Sequence, residues 1–277
     1  MILGAIIGDT VGSVYEFDNH KSVDFELFDP CCEFTDDSIV TVAVAKWLLI
    51  DPKHSFEKLE EYLVDFGKRY PNPMGGYGGG YCTWLFRPGQ LAVYQGGKSD
   101  AVLTSGRHPY NSWGNGSAMR ASAVGWAFDT LDETLEIAKR SSEITHNHPE
   151  GIKGAQATAA AIYLARNGKS KQEIKDYISK NFGYDLNRTC DEIRPYYNFD
   201  GSCQGTVPEA IIAFLESTDF ESAIRLGVSL GGDTDTLTCI TGGIAEAFYK
   251  NIPQWIVDKM LSMLPQEFKD ILSEFNK

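Results

Sequence analysis

The sequence lacks an excess of positive charge, an apolar run of membrane-spanning length and a cysteine spacing typical of zinc sites. Its 277 residues carry a formal net charge of −13, which opposes broad binding to nucleic acid or to an anionic membrane. The six cysteines are scattered and we expect them to be reduced. The first seven residues lack the basic start of a signal peptide, so we expect a cytoplasmic protein.

The sequence does contain a long apolar run behind an acidic stretch. Residues 39–50 are apolar on nearly all sides, which predicts a buried helix that ends before Asp51. Their many β-branched side chains leave a buried strand as the alternative. Thr35, Asp36 and Asp37 stand at the N-terminal end of this segment. Two adjacent carboxylates at a buried helix end need a cation nearby.

A second acidic stretch, residues 231–236, precedes another apolar segment at 237–248. Asp233, Asp235 and Thr236 again lie at the start of a predicted buried helix. Carboxylate and hydroxyl oxygens suit Mg²⁺, Mn²⁺ or Ca²⁺ rather than zinc. The two stretches together predict one shared site of oxygen ligands, with two independently capped helices as the alternative.

Near the N-terminus, residues 2–17 are predicted to form a helix in which glycine recurs every fourth position, which permits close packing. Asp9 and Glu16 share one face of that helix. We interpret Asp9 as a cap or salt-bridge partner. Glu16 stands at the helix end, where the dipole disfavours a carboxylate, and this placement favours a functional role.

Three irregular segments contain candidate ligand-binding residues. The aromatic and glycine-rich loop 70–81 is either a flexible connector or a loop that closes over a ligand. The turn 114–117 before a predicted helix 118–128 offers N–H groups to an anion, although no lysine of a Walker loop follows it. For His146 and His148 we favour hydrogen bonding over metal ligation, because no zinc spacing accompanies them.

The remaining pattern predicts about a dozen helices and no strands, hence one all-α domain spanning residues 1–277. Further helices are predicted at residues 55–70, 131–145, 151–167, 170–182, 207–216 and 220–230, with two short ones after Pro253 and Pro265.

These motifs, in this order, resemble those of the ADP-ribosylglycohydrolases, a family that includes the dinitrogenase reductase-activating glycohydrolase. The resemblance implies a single compact all-α domain of roughly orthogonal helices with two Mg²⁺ or Mn²⁺ ions in a cleft. The matching segments are Gly8-Asp9, Tyr15-Glu16-Phe17, Phe34-Thr35-Asp36-Asp37-Ser38, Gly114-Asn115-Gly116-Ser117-Ala118-Met119-Arg120, Thr145-His146 and Gly231-Gly232-Asp233-Thr234-Asp235-Thr236.

The resemblance also implies roles for individual residues. Glu16, Asp36 and Asp235 are the implied catalytic residues, and His146 is implied to lie near the ribose and phosphates. Tyr77 lies where family loops border the cleft. The turn implied to hold the diphosphate consists of Asn115, Gly116 and Ser117, and the implied metal ligands are Thr35, Asp36, Asp37, Asp233, Asp235 and Thr236.

The function implied is metal-dependent hydrolysis of the N- or O-glycosidic bond between ADP-ribose and a modified side chain or related acceptor, with release of ADP-ribose. The expected partner is an ADP-ribosylated protein or a small ADP-ribosyl compound. Two alternatives remain, a catalytically weak ADP-ribose-binding module and a different binuclear metallohydrolase. Segments 18–33 and 184–204 match no family motif, so the sequence leaves the acceptor open, as it does the oligomeric state.

Overall fold

The computed structural model of the protein describes residues 2–95, 98–103 and 106–276. Helices dominate this part of the chain, which confirms the all-α class, and none of them is both long and apolar enough to cross a bilayer. The α-helices there, in chain order, are α1 Leu3–Gly12, α2 Asp36–Ile50, α3 Phe56–Arg69, α4 Gly79–Phe86, α5 Ser122–Ala127, α6 Leu131–Glu143, α7 Pro149–Arg166, α8 Lys171–Phe182, α9 Cys190–Ile193, α10 Cys203–Glu216, α11 Phe220–Leu230, α12 Thr234–Tyr249, α13 Gln254–Met263 and α14 Gln266–Phe275.

Helix α12 lies at the centre of the fold, with every residue from 234 to 247 buried. It packs against α1, α7, α10 and α11. Helix α2 is also interior, since residues 37–45 are all buried. The prediction of two buried helices is therefore confirmed, and the alternative of a strand at residues 39–50 is wrong.

The glycines of α1 face α12 at very short range. A Cβ on Gly8 would lie 2.0 Å from the carbonyl oxygen of Thr238, and one on Gly12 would lie 2.5 Å from that of Thr234. Only hydrogen fits at these positions, so the two helices pack backbone to backbone. This contact brings the end of α1, and with it Glu16, to the start of α12.

Several predicted boundaries differ from the structure. The first helix ends at Gly12 and continues only as the 3₁₀ turn Ser13–Tyr15, so Glu16 lies beyond the α-helix. The helix predicted for residues 118–128 begins as the 3₁₀ turn Met119–Ala121 and continues as α5, and the turn predicted before it contains the 3₁₀ turn Asn115–Ser117. The loop predicted for residues 70–81 stops earlier, because α4 begins at Gly79.

Helix α10 begins before the position that its proline predicted. The prediction placed the start at residue 207, with Pro208 in the first turn. Instead the Ser202 side chain caps the helix by accepting from the N–H of Gly205, and Pro208 lies inside α10.

One small sheet accompanies the helices. Strand β1 (Gln90–Gln95) pairs antiparallel with β2 (Lys98–Leu103), with Gln90 opposite Leu103. The prediction of no strands is therefore wrong for this segment, although the all-α class stands.

Candidate active site

The N-terminal ends of α2 and α12 meet at one cavity of about 480 Å³. Asp36 and Asp37 come from α2, and Asp233 and Asp235 come from the start of α12. The hydroxyl of Thr236 donates to Asp37 across the two helices at 3.3 Å. Two acidic stretches that are distant in the sequence thus share one site, as the sequence analysis expected.

The carboxylates of this site form two overlapping groups. Asp9, Asp37 and Asp235 each offer an oxygen within 4.8 Å of the others, and so do Glu16, Asp233 and Asp235. Asp235 belongs to both groups, and neither group contains histidine or cysteine. A donor set made only of oxygen atoms suits a hard divalent cation such as Mg²⁺ or Mn²⁺.

These carboxylates have no countercharge within the described ranges, where no lysine or arginine forms an ion pair with them. Burial, and then the neighbouring carboxylates, raise the pKa of Asp36, Asp37 and Asp235 well above its ordinary value. The same causes raise the pKa of Glu16 to about 7. Moreover, Oδ1 of Asp37 is buried without a hydrogen-bond partner in this part of the chain. The group therefore requires either protons or cations.

Asp9 from α1 holds the start of α2 in place. Its fully buried carboxylate accepts from the N–H and hydroxyl of Thr35, at 2.9 and 2.6 Å, and from the same two groups of Ser38. Burial raises the pKa of Asp9 to about 6 although these hydrogen bonds act to lower it. The interpretation of Asp9 as a cap fits these contacts. The Thr35 hydroxyl, an implied metal ligand, is bound to Asp9 and does not line the cavity.

The glycine-rich loop, residues 70–78, lies directly over Glu16. A Cβ on Gly75 would lie 2.5 Å from Oε2 of Glu16, and Gly75 has the positive φ of 75° that glycine tolerates. The hydroxyl of Tyr77 donates to the carbonyl oxygen of Tyr70 at 2.8 Å and so closes the loop. Because Tyr77 also lines the cavity, this contact favours the ligand-bordering interpretation over a flexible connector.

The turn at residues 115–117 contributes two of its three residues to the cavity. The amide of Asn115 donates to Asp233 at 2.7 Å and to Thr206 at 3.0 Å, and Gly116 lies beside it in the wall. Ser117 is buried, donates to the carbonyl oxygen of Gly151 at 2.7 Å and does not line the cavity. Asn115 therefore connects this turn to the carboxylate site.

His146 lines the cavity next to this turn. Its Nδ1 lies 2.7 Å from the Thr145 hydroxyl, and its Nε2 would lie 3.2 Å from a Cβ on Gly116. Burial and the charge of Arg120 lower the pKa of His146 well below its ordinary value. His148 instead accepts from a backbone N–H in the first turn of α7. Both histidines make the hydrogen bonds that the sequence analysis favoured.

Aromatic side chains at the rim were not identified from the sequence. Phe17 and Phe199 line the cavity and stack with ring centroids 6.1 Å apart, while remaining 73% and 54% exposed. Trp113 lines the cavity as well. Phe17 directly follows Glu16 and belongs to the matching segment Tyr15-Glu16-Phe17, and these features of the sequence could have indicated it.

The chain is similar to known proteins over nearly its whole length. The family model described as ADP-ribosylglycohydrolase matches residues 1–275. ADP-ribosylhydrolase ARH3 of Homo sapiens is 28% identical over 90% of this chain and 84% of its own, and ADP-ribosylarginine hydrolase Tri1 of Pseudomonas putida is 25% identical over 92% and 72%. A solved structure titled as an ADP-ribosylglycohydrolase-related protein complex is similar in fold, with a TM-score of 0.71 and 21% identity, over 99% of this chain and 93% of that one.

Proposed function

The chain belongs to the ADP-ribosylglycohydrolase family, and from this premise we propose that it is a divalent-cation-dependent enzyme that releases ADP-ribose from an ADP-ribosylated acceptor. Membership of the family confirms the resemblance seen in the sequence and the assignment as a glycohydrolase. The observation that carries the proposed cation dependence is the pair of carboxylate groups sharing Asp235 at the cavity.

The residues present fit a pair of divalent ions. The donors are oxygen atoms, they lack a cationic partner in the described ranges, and the buried Oδ1 of Asp37 has no hydrogen bond there. Divalent ions bound here supply positive charge for ribose oxygens and lower the pKa of a nearby water. We assign the ligand role to the residues that the resemblance implies, Thr35, Asp36, Asp37, Asp233, Asp235 and Thr236. Of these, Asp37, Asp233 and Asp235 belong to the carboxylate groups, Asp36 lines the cavity outside both groups, and the Thr35 hydroxyl contacts Asp9.

Glu16 is the group placed to move a proton. Its carboxylate is partly buried and lies against Asp233 and Asp235, and in the protein without cations burial and the neighbouring carboxylates raise its pKa to about 7. A carboxylate with a pKa near neutrality accepts a proton from attacking water and can return it to a leaving group. The backbone at Gly75 covers Glu16 and limits the access of bulk water to it.

The rest of the cavity suits the ADP-ribosyl group. Its volume of about 480 Å³ is within the usual range of sites for ligands of this size. Gly114 and Gly116 leave room beside His146, and we assign this wall to the diphosphate and ribose. Tyr77 and the exposed pair Phe17 and Phe199 provide aromatic surface along the rim.

A panel of ADP-ribosylated substrates identifies the acceptor from which the enzyme releases ADP-ribose. The protein is incubated with Mg²⁺ or Mn²⁺ and with ADP-ribosylated arginine peptide, serine peptide, acidic peptide and DNA, or with O-acetyl-ADP-ribose, and the products are identified by mass. We expect intact ADP-ribose from at least one substrate, and no release in EDTA. Release of AMP and ribose phosphate would instead assign the phosphoesterase alternative. Binding of ADP-ribose without any turnover would assign the binding-module alternative.

A further inference from the structure

A buried chain of hydrogen bonds runs from Arg120 through Thr145 to His146, and its two ends, Arg120 and His146, line the cavity. Arg120 is 1% exposed, and in residues 2–95, 98–103 and 106–276 it forms no ion pair with a carboxylate. Its Nη2 donates to the carbonyl oxygen of Ser141 at 2.7 Å and to the hydroxyl of Thr145 at 2.8 Å. Its Nε has no partner there. A fully buried guanidinium without a counterion is costly, so its position calls for an explanation.

The hydrogen bonds of Thr145 determine which nitrogen of His146 carries the proton. Arg120 can only donate, so the Thr145 oxygen accepts from it. The Thr145 proton then has one acceptor within the described residues, Nδ1 of His146 at 2.7 Å. If Nδ1 carried a proton instead, the buried Thr145 hydroxyl would accept twice and its own hydrogen would be unsatisfied. The satisfied arrangement leaves the proton of the neutral imidazole on Nε2.

The Nε2 atom faces the part of the cavity wall that Gly114 and Gly116 form, where these residues contribute no side chain. A Cβ on Gly116 or Gly114 would lie 3.2 or 3.5 Å from Nε2, and both positions are glycine. Among the described residues Nε2 has no hydrogen-bond partner, and His146 lines the cavity. A donor in this place suits an oxygen atom of a ligand.

We propose that Arg120 and Thr145 are positioning residues that hold His146 as the Nε2–H tautomer, so that it donates a hydrogen bond to a phosphate or ribose oxygen of the ADP-ribosyl group. This inference rests on the proposed function. The unpaired charge of Arg120 also favours a neutral His146 that binds the ligand, because it opposes protonation of His146 and attracts the anionic diphosphate. The three hydrogen bonds named above, to the Ser141 carbonyl oxygen, the Thr145 hydroxyl and Nδ1 of His146, account for the placement of both positioning residues without a carboxylate.

The tautomer is measured directly on the wild-type protein. Histidine is labelled with ¹⁵N, and the His146 signals are assigned by their absence in the variant His146→Gln. We expect one protonated nitrogen at pH 7, namely Nε2, and no imidazolium. A proton on Nδ1, or on both nitrogens, would overturn the inference. This measurement needs no substrate, so it decides the tautomer even if the proposed function fails.

The variants Thr145→Val and Thr145→Ser test the role of the relay in binding. Valine keeps the shape of threonine but offers no proton to Nδ1, so the Kd for ADP-ribose should rise about tenfold, the loss expected for one hydrogen bond, while serine should restore it. The NMR spectrum of Thr145→Val should no longer show Nε2–H as the single tautomer, because nothing then donates to Nδ1. An unchanged Kd and tautomer in this variant would overturn the inference. Failure of the wild-type protein to bind ADP-ribose would instead count against the proposed function.

Discussion

At the scale of single residues, Asp235 has the most direct test, because it belongs to both carboxylate groups. Asp235→Asn keeps the size of the side chain and removes one charge. We expect turnover to fall by more than about 100-fold, since the two cation sites lose a shared ligand. We also expect the rise in Tm that Mn²⁺ causes in the wild type to disappear. Activity assays and calorimetric melting with and without Mn²⁺ measure both effects.

The control for Asp235→Asn is Asp129→Asn, which removes an exposed carboxylate outside the cavity. It should retain the turnover and the cation-induced shift of the wild type. Without added cation, Asp235→Asn should melt no lower than the wild type, because removal of its charge relieves repulsion from Asp37 and Asp233. Wild-type turnover in Asp235→Asn would remove this residue from the cation site.

Replacement of Glu16 tests whether proton transfer is lost while cation binding is kept. In Glu16→Gln the side chain keeps its size but cannot accept a proton, so kcat should fall by about 10²-fold or more. Affinity for Mn²⁺, measured by titration calorimetry, should change much less than in Asp235→Asn. Glu136→Gln, at an exposed position of α6, is the matched control. An unchanged kcat would show that Glu16 takes no part in the chemistry.

How far the sequence predicts the site differs from residue to residue. Asp36 and Asp37 were identified because a local rule applies to them, namely an acidic start before an apolar helix. The direction of a side chain depends on the neighbouring elements, which a sequence pattern does not specify. For that reason the pattern could not show that Ser117 points to the carbonyl oxygen of Gly151, or that the Thr35 hydroxyl is bound to Asp9.

At the scale of helices, the contact between α1 and α12 determines how close Glu16 lies to Asp235. Gly8→Ala would place a methyl group 2.0 Å from the carbonyl oxygen of Thr238, and a backbone atom in a central helix cannot move aside easily. We expect the free energy of unfolding to fall by more than about 2 kcal/mol, as is typical of overpacking. Urea denaturation of the cation-free protein measures this change.

The control for Gly8→Ala is Gly106→Ala. A Cβ on Gly106 meets no atom within 4 Å, and its φ is not positive. This variant should change the free energy of unfolding by less than about 0.5 kcal/mol. Equal stability of the two variants would mean that α1 and α12 pack less closely than the structure indicates.

Helix boundaries were predictable where a cap lies next to the apolar pattern. Ser170 and Glu173 form the predicted capping box of α8, and Gly183 ends that helix in the left-handed conformation. The predicted start of α10 at residue 207 is wrong, because Ser202 caps the helix and Pro208, a residue typical of a first turn, lies inside it. The hairpin was missed although Gly-Gly at residues 96–97, between two short β-prone segments, is a known turn signal.

At the scale of the whole molecule, most acidic side chains lie at the surface, but a small group of them is buried at one place. The net charge of −13 is spread over the surface, where water screens it, but the carboxylates around Asp235 lie in the interior. The folded protein therefore has two ways to relieve repulsion there, by holding protons or by holding divalent cations. Protons and cations compete for the same oxygen atoms, so their effects on stability must be linked.

This competition predicts that the stabilisation by cation depends on pH. Burial raises the pKa of Asp9 from 3.8 to about 6 and that of Glu16 from 4.5 to about 7, so the folded state holds extra protons between these values. The stability that this provides is complete below pH 4 and is lost as the pH rises through 6 to 7. Burial lowers the pKa of His54 and of His146, so these two residues make the folded protein more stable as the pH rises. Because the histidines lie outside the cation site, their effect cancels when melting with Mn²⁺ is compared with melting in EDTA.

We therefore expect the difference in Tm between the Mn²⁺ and EDTA samples to grow steadily from pH 5.5 to pH 7.5, as protons leave the carboxylates and the cation replaces them. Scanning calorimetry at fixed ionic strength measures it, with Mg²⁺ as a second cation and NaCl of equal ionic strength to exclude simple screening. In Asp235→Asn the difference should be close to zero at every pH. A difference that is large at pH 5.5 and does not change with pH would mean that the cation binds elsewhere, because binding at these carboxylates cannot be independent of their protonation.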